Sequence, residues 1–300
     1  MDNERQKITF EELWTQLGDD EAVLFGLTAA HPSGRRAANA EEERLYEAMA
    51  ARQLVVPVVD SSAEGGPADG NPSNERIYRV PEDLLAAYNE DWSEDLEALR
   101  QQRLWMGKCL QIAGALYGGM TWGVLLKLYR RRFRDAGAAE VQEVFRRMPV
   151  ERRGFTESGA RLIRDDLLAD GTFDTYAVEV QRNKPFYIPN RAEIEEFHAE
   201  GCLLNSRECG AMKLFLIRTF QYGEDAAKGA LLRLADGIRR GEAPDEDAFD
   251  FPSRAARKDF RKLYDELCDG TRLMANRGHT NQELRDRQER IRRSIRRNRR

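Results

Sequence analysis

Apolar residues recur at helical spacing near the start of the chain. In ITFEELWTQL, the residues Phe10, Leu13, Trp14 and Leu17 fall on one helical face. AEEERLYEAMAARQL predicts a second helix, and the strand-like VVPVV follows it directly. A Gly-, Pro- and Ser-rich loop is expected over residues 60–75, and RIYRV after it predicts a second short strand. Helix, strand, long loop and strand is the order of the last helix and wing of a winged helix.

The same order is predicted again between residues 156 and 189. TESGARLIRDDLLA predicts a helix over 156–169, with Thr156 as its cap and Gly171 as its end. TYAVEV and PFYIP then predict two strands joined by the polar turn QRNK. This hairpin would be a second wing.

A short sequence echo connects the two regions. IYRVPEDLLAAY and PFYIPNRAEIEEF both run from an aromatic strand through proline into an acidic amphipathic helix, with Pro81 and Pro189 in register. Proline ends the strand because it cannot donate to the ladder, and it is tolerated in the first turn of the next helix. The echo favours a duplicated module.

Further helices are predicted between and after the two hairpins. SEDLEALRQQRLWMGKCLQIAGALY, TWGVLLKLYRRRF and AAEVQEVFRRM would supply a helix-turn-helix scaffold, and AMKLFLIRTFQYG, AAKGALLRLADGIRRG and SRAARKDFRKLYDELCDG a C-terminal helical bundle. We therefore expect a mainly α protein with small β-hairpins. Its expected parts are an N-terminal winged-helix-like module (1–90), a second such module (91–200), a C-terminal helical region (201–284) and a basic tail (285–300).

One uncharged run raises the question of a membrane span. CLQIAGALYGGMTWGVLL, residues 109–126, lies near the lower length bound of a spanning helix. Gly118 and Gly119 break the run, and Thr121 can cap a new helix after them. Two short buried helices that meet at a turn are the better interpretation.

Composition agrees with a soluble, helix-rich protein. The 300 residues are 41% hydrophobic, which suffices for a sizeable core, and 33% are charged. The N-terminus, MDNERQKITF, carries charges where a signal peptide needs an apolar stretch, so we expect a cytoplasmic protein.

The net charge of −4 hides an asymmetry. Residues 285–300 contain nine Arg against Asp286 and Glu289, a charge of +7, so the other 284 residues carry −11. An acidic body with a basic tail is the strongest compositional feature of the chain.

The cysteines and histidines form no recognisable metal pattern. The four cysteines, Cys109, Cys202, Cys209 and Cys268, are scattered along the chain instead of standing at zinc-ligand spacing. We expect reduced thiols, no metal and no cofactor.

An enzyme is the least favoured alternative. In FDTYAVEVQRNK, a strand carrying Glu179 would resemble the Glu-x-Lys of metal-dependent nucleases, but Gln181 stands where the lysine should be. Strand alternation alone explains Glu179. No Walker loop, nucleophile elbow or HExxH motif occurs.

The segments GALYGGMTWGVLLKLY, FYIPNRAEIEEF and TRLMANRGHTNQEL together resemble a family of uncharacterised bacterial winged-helix-like proteins. The similarity covers residues of about 105–284 and is strongest at its end, with Met274 displaced by one position. The matching residues there are Thr271, Arg272, Asn276, Arg277, Gly278, Thr280, Asn281, Glu283 and Leu284. Many members carry a C-terminal zinc motif of the SEC-C type; no cysteine or histidine follows His279 here, so no zinc contact is carried over.

Arginine clusters point to a nucleic-acid partner, DNA or RNA. Clustered cations neutralise phosphates and release counterions, and a wing touches the phosphate backbone. The candidate contacts are Arg130, Arg131, Arg132, Arg134, Arg146, Arg147, Arg152, Arg153, Arg182, Lys184, Arg290, Arg292, Arg293, Arg296 and Arg297. We expect a regulatory nucleic-acid-binding protein; a protein-interaction adaptor using the same modules is the alternative, because Asp165, Asp166 and Asp170 on the predicted helix oppose DNA binding.

The segment before the tail predicts a structured turn. Thr280 and Glu283 stand at capping-box spacing, and Gly278 permits a sharp turn before them. Arg272 and Arg277 either extend the basic surface or pin the turn to the body.

Overall fold

The computed structural model describes residues 9–59 and 76–298, so the loop expected over 60–75 lies outside the described residues. The protein is mainly helical with two small antiparallel sheets, which confirms the expected class. In chain order the helices and strands of the described residues are α1 Phe10–Trp14, α2 Asp19–Ala29, α3 Ala40–Ala51, β1 Val56–Val59, β2 Arg76–Arg79, α4 Glu82–Asp91, α5 Glu94–Tyr117, β3 Gly119–Thr121, α6 Trp122–Tyr129, α7 Ala138–Arg147, α8 Val150–Arg153, β4 Phe155–Ser158, β5 Arg161–Arg164, α9 Asp165–Ala169, α10 Phe173–Glu179, α11 Arg191–Glu200, α12 Arg207–Phe220, α13 Glu224–Arg240, α14 Arg254–Gly270 and α15 Asn281–Asn298.

The chain divides into two compact units, residues 1–104 and 105–300. The boundary between them falls inside α5. The division into four parts at residues 90, 200 and 284 stays a prediction.

The first unit is built on aromatic packing under a small hairpin. Strands β1 and β2 pair antiparallel, with Val56 opposite Arg79, which confirms the predicted helix and the two strands after it. Tyr46 of α3 stacks on Tyr78 of β2, with ring centroids 4.2 Å apart, and both side chains are fully buried. Arg35 forms an isolated bridge to Tyr78 on the other side of β2. The strand arrangement is therefore Arg35, β2, β1.

The second unit has a three-stranded sheet in the order β3-β5-β4. Helix α5 ends at Gly118, whose φ of +68° turns the chain into β3, and the helices α6 and α7 follow before the hairpin of β4 and β5. The glycine break and the two helices expected on either side of it are confirmed. Residues 156–169 are not one helix, however: they form a hairpin with its turn at Gly159 and then the short helix α9.

The predicted second wing at 175–189 is also wrong. Residues 173–179 form α10, because Phe173 and Ala177, four positions apart, bury together against Ile163. The alternation in TYAVEV fitted a strand locally, but the helical spacing decides the packing. Residues 185–189 belong to no strand, so only the helical half of the second echo is confirmed. That half is α11, which begins after Pro189 with a capping box between Asn190 and Glu193.

The C-terminal helices α12, α13 and α14 are confirmed and share one core. Met212, Leu231 and Phe260 lie at its centre, and contacts between α12 and α14 are the most extensive. Among the described helices, none combines the length and apolar character that crossing a membrane requires.

Candidate nucleic-acid interface

The arginines of the turn between α6 and α7 differ in what they contact. Arg130 donates from Nε to the carbonyl of Ala136 at 2.9 Å, and Arg132 lies beside the ring of Phe133. Arg131 donates to the carbonyls of Pro189 and Ile188 at 2.9 and 3.2 Å. Arg134 is exposed and makes no hydrogen bond or ion pair with another described residue. Arg130 and Arg131 therefore stabilise the fold by binding backbone carbonyls, whereas Arg134 does not.

The arginines at the end of α7 are paired with carboxylates. Arg146 forms a two-pronged ion pair with Glu157 of β4, both bonds at 2.9 Å. This guanidinium holds the pKa of Glu157 below its usual range. Arg147 pairs with Glu143 at 2.7 Å on the same helix. These pairs are exposed, so a phosphate can compete for the arginines.

The helix α8 carries the next two arginines. Arg153 donates to the carbonyls of Met148, at 2.7 Å, and Arg146, and its guanidinium lies 5.2 Å from the ring centroid of Phe145. It serves the fold. Arg152 is exposed.

Arg182 and Lys184 do not lie on a wing, because no hairpin forms at 175–189. Lys184 reaches back with its Nζ to the carbonyl of Ala275 at 2.9 Å and to Oδ1 of Asn276 at 3.0 Å. Partial burial lowers the pKa of Lys184. Arg182 is exposed, and no other described residue bonds to its side chain.

Helix α15 contains residues 285–298 of the basic tail. Near its start Arg285 pairs with Asp269, and further along Arg293 pairs with Glu289 at 2.9 Å. Arg290 reaches only the carbonyl of Asp286, at 3.4 Å. The tail arginines that make no hydrogen bond or ion pair with any described residue are Arg287, Arg292, Arg296 and Arg297. The outer half of α15 thus presents uncommitted positive charge.

The junction before the tail is a tightly bonded turn. The guanidinium of Arg272 lies 3.4 Å from the ring centroid of Tyr187 and donates to both carboxylate oxygens of Glu283 at 3.1 Å. Arg277 donates to the carbonyl of Lys184 at 2.8 Å and lies over the ring of Phe186. Both arginines pin the turn.

The start of α15 is capped as its sequence implies. The backbone N–H of Glu283 donates to Oγ1 of Thr280 at 3.0 Å, and that of Thr280 donates to Glu283 at 3.2 Å. Gly278 has a φ of +80°, and a Cβ there would lie 3.1 Å from the ring of Tyr117 and 3.3 Å from Cβ of Leu116. Only glycine fits this close approach.

The acidity of the body is confined to the first unit. Residues 1–104 contain 22 Asp and Glu against 10 Lys and Arg, whereas residues 105–284 contain 28 against 29. Residues 105–284, which precede the basic tail in the second unit, are therefore almost neutral.

Other chemistry is sparse in the described part of the chain. The described residues contain no group of three or more His, Cys, Asp or Glu side chains placed to hold a metal ion. The four cysteines are free thiols, and burial raises the pKa of Cys109 well above its ordinary value. Glu179 ends α10 and is exposed, so the strand that the nuclease alternative requires is a helix.

A cleft of about 400 Å³ lies between α11, α13 and the junction, lined on one side by Glu193, Arg272 and Glu283. These side chains already bind one another, since Arg272 contacts both carboxylates. On this side of the cleft, the charged groups are therefore already paired with one another.

Sequence reasoning overlooked Arg161, which lies in β5 directly after the hairpin turn. The error came from the helix predicted over 156–169. The available signal was Gly159 in Ser158–Gly159–Ala160, a turn residue that interrupts the helix predicted over 156–169.

Comparisons with protein-family models, curated proteins and solved structures gave no match for this chain.

Proposed function

We propose that this protein binds nucleic acid through its second unit, in a regulatory role, with α15 as the main electrostatic contact. The observation that carries the proposal is the outer half of α15, where Arg292, Arg296 and Arg297 are exposed and unpaired among the described residues. A helix of this kind displaces counterions from phosphates and binds DNA or RNA with little sequence preference. The near-neutral residues 105–284 do not compete for it.

We further propose a winged-helix module within residues 105–164, displaced from the predicted position. Its support is the order α5, β3, α6, α7, the four-residue α8, β4, β5, with β5 lying between β3 and β4. In such a module α7 is the recognition helix and the turn at Gly159 is the wing. The ion pair between Arg146 and Glu157 holds α7 beside β4, which brings helix and wing to one side.

The first unit is not part of the proposed nucleic-acid interface. Its hairpin has a similar strand arrangement, but α3 carries four Glu against one Arg and would repel phosphate. We assign it no nucleic-acid contact. The bacterial family resemblance and the cytoplasmic location stay predictions.

The test measures binding of the full chain to a labelled 25-base-pair duplex of random sequence, and to an RNA of equal length, across a salt series. We expect affinity to fall steeply with salt. For the duplex, the logarithm of the binding constant should fall by about 0.9 for each phosphate contact when the salt concentration rises tenfold. Deleting residues 285–300 should weaken binding at least tenfold at low salt. The triple variant R292Q/R296Q/R297Q should reduce the salt slope by about 2 to 3.

The matched control is R207Q/R218Q/R254Q, which removes three exposed arginines from α12 and α14 without touching α15. It should leave both affinity and slope close to those of the intact chain. Absence of measurable binding by the intact chain at low salt would refute the proposal.

A second candidate function, a protein-interaction adaptor, rests on the apolar edge of the same helix. Ile291 and Ile295 lie four positions apart on α15 and are 50% and 49% exposed. A protein partner would bury them, whereas phosphate contact would not. The variant I291S/I295S should therefore leave nucleic-acid affinity unchanged. Loss of binding to an acidic protein partner in the same variant would support the adaptor function.

A further inference from the structure

A groove of about 600 Å³ opens beside β3 in the second unit, away from the tail. Three arginines line it: Arg161 from β5, Arg182 from the loop after α10, and Arg277 from the junction. No Asp or Glu is among the described residues that line this β3 groove. Its volume is in the range of small-ligand sites.

Arg277 is held in the groove at an energetic cost. Its φ of +49° lies in the left-handed region, which a residue with a side chain rarely adopts. Its Nε is buried without a hydrogen-bond partner in the described structure. Burial, and the neighbouring charge of Arg161, lower the pKa of Arg277. Strain and an unsatisfied donor at one residue are typical of a ligand-binding position.

The other two arginines remain available to a ligand. Arg161 pairs with Asp174 at 3.0 Å, but the two side chains are 52% and 79% exposed, so the pair is readily exchanged. Arg182 is exposed and bonds to no other described side chain. Asn183 beside it also has a positive φ, +63°, and offers a free amide to the groove. The groove thus collects three positive charges, and the exposed Asp174 outside its lining is paired with one of them.

One wall of the groove is apolar. Phe186 lies beneath the guanidinium of Arg277, 4.6 Å away, and Val178 at the rim is 59% exposed. This wall, an exposed aliphatic side chain beside stacked aromatic and guanidinium planes, suits a ligand with a flat apolar ring better than it suits a bare inorganic anion. The planar forks of the arginines match phosphate oxygens.

We propose that the β3 groove binds a nucleotide, with its phosphate on Arg161, Arg182 and Arg277 and its base against Val178 and Phe186. The same chemistry is offered by a free nucleotide and by the phosphorylated end of a single strand. The proposal goes beyond duplex binding by the tail and does not depend on it.

The experiment is calorimetric titration of the full chain with AMP, inorganic phosphate and adenosine as separate probes. We expect saturable AMP binding, with phosphate alone and adenosine alone each at least tenfold weaker. R161Q/R182Q should weaken AMP binding tenfold or more, and V178D should weaken AMP more than phosphate. These side chains are exposed, so the variants should keep their folded circular-dichroism spectrum.

The matched control is R207Q/R218Q, two exposed arginines of α12 outside the groove, which should bind AMP like the intact chain. Deletion of residues 285–300 should also leave AMP binding unchanged, which separates this site from the tail. Lack of saturable AMP binding at millimolar concentration, equal binding of phosphate and AMP, or unchanged binding by R161Q/R182Q would each overturn the proposal.

A 5′-phosphorylated oligothymidylate of eight nucleotides distinguishes the two sources. Tighter binding than AMP, lost in R161Q/R182Q but not after tail deletion, assigns the groove to a strand end. AMP binding without oligonucleotide binding assigns it to a free nucleotide.

Discussion

Residues 34–80 in the first unit and residues 118–164 in the second each place the strand that comes last in sequence between the other two. In the first region the arrangement is Arg35, β2, β1, and in the second it is β3, β5, β4. In both, a glycine with positive φ, Gly34 or Gly118, leads into the first of the three. The regions differ in the helices between their first and second strands: among the described residues the first region has α3, and the second has α6, α7 and the short α8.

The two regions also differ in charge. Helix α3 carries four Glu against one Arg, whereas α7 carries two of each and is flanked by the arginines of the turn 130–134 and of α8. Buried positions hold the strand arrangement, and the exposed charges are not constrained by it. Similar strand orders can therefore support different surfaces, and the arginines are the reason that we propose nucleic-acid contact for the second region.

The largest effect on this comparison is expected from Gly34→Ala. A Cβ at this position, with φ at +93°, would lie 2.8 Å from Cγ of Arg79 and 3.0 Å from the carbonyl of Tyr78, and closer still to Ile77. We expect a loss of about 3 kcal/mol in the first unit, from backbone strain and overpacking. Hydrogen exchange would report the loss in residues 9–59. Gly26→Ala in α2, where a Cβ would make an ordinary van der Waals contact at 3.5 Å with the hydroxyl of Tyr88, should be neutral or stabilising.

Gly118→Ala is the counterpart in the second region. Its φ is +68°, and a Cβ would lie 2.7 Å from Leu167 and 2.8 Å from Met274. These are flexible side-chain ends, so we expect a smaller loss of about 2 kcal/mol, in the second unit alone. Thermal unfolding followed by hydrogen exchange measures it, with Gly123→Ala in α6 as control. Equal destabilisation of both units would show that the regions do not fold separately.

Ala139→Glu tests the difference in surface charge. Ala139 is exposed in the first turn of α7, where an acidic residue favours the helix, so folding should be retained. If α7 approaches phosphate, the new charge should weaken duplex binding about tenfold, or about 1.4 kcal/mol. Ala48→Glu on the exposed face of α3 should leave binding unchanged. Similar losses in both variants would contradict the assignment of roles.

Arg131→Gln separates structural arginines from binding arginines within the second region. It removes donors to the carbonyls of Pro189 and Ile188, and we expect a loss of about 1 kcal/mol in stability with little change in binding. Denaturant unfolding and duplex titration measure the two quantities. Arg134→Gln, next to it but unpaired among the described residues, should leave stability unchanged.

The smallest effect is expected from Arg146→Gln. The ion pair lowers the folded-state pKa of Glu157, so its contribution to stability is present above the ordinary glutamate range and is lost as pH falls through the folded pKa. The side chains of Arg146 and Glu157 are 56% and 33% exposed, so solvent screens the pair and the change in stability should be slight. NMR titration of Glu157 should show its pKa rise towards the ordinary value in the variant. An unchanged pKa would mean that the pair does not hold α7 to β4.

Helix periodicity predicted most of the helices correctly, including α5, α6, α7 and α11 to α14, because each buries apolar residues at helical spacing. Helix α15 was predicted from its capping box, although its apolar edge stays exposed. The first hairpin was also predicted. The second was misplaced by some twenty residues, because TYAVEV alternates like a strand while the true strands β4 and β5 are four residues each and flank an inconspicuous Ser-Gly-Ala turn. Such short strands carry little signal of their own.

For the candidate site, the sequence indicated which residues are involved but not which groups they contact. The sequence identified the arginines and their density, but it could not say that Arg131, Arg153 and Lys184 spend their donors on backbone carbonyls. Those carbonyls lie 5 to 91 positions away in the chain. Arg161 and Arg277 meet at one groove for the same reason, since only packing brings β5 and the junction together.

By itself, the sequence determined the helical class, the capping box that starts α15 and the excess of positive charge in the tail. All three depend on residues within a few positions of one another. The tertiary structure alone decided the sheet order β3-β5-β4, which arginines remain uncommitted, and the β3 groove. These depend on pairings across long separations, where burial and hydrogen bonding of distant groups select one partner among many that the local pattern allows.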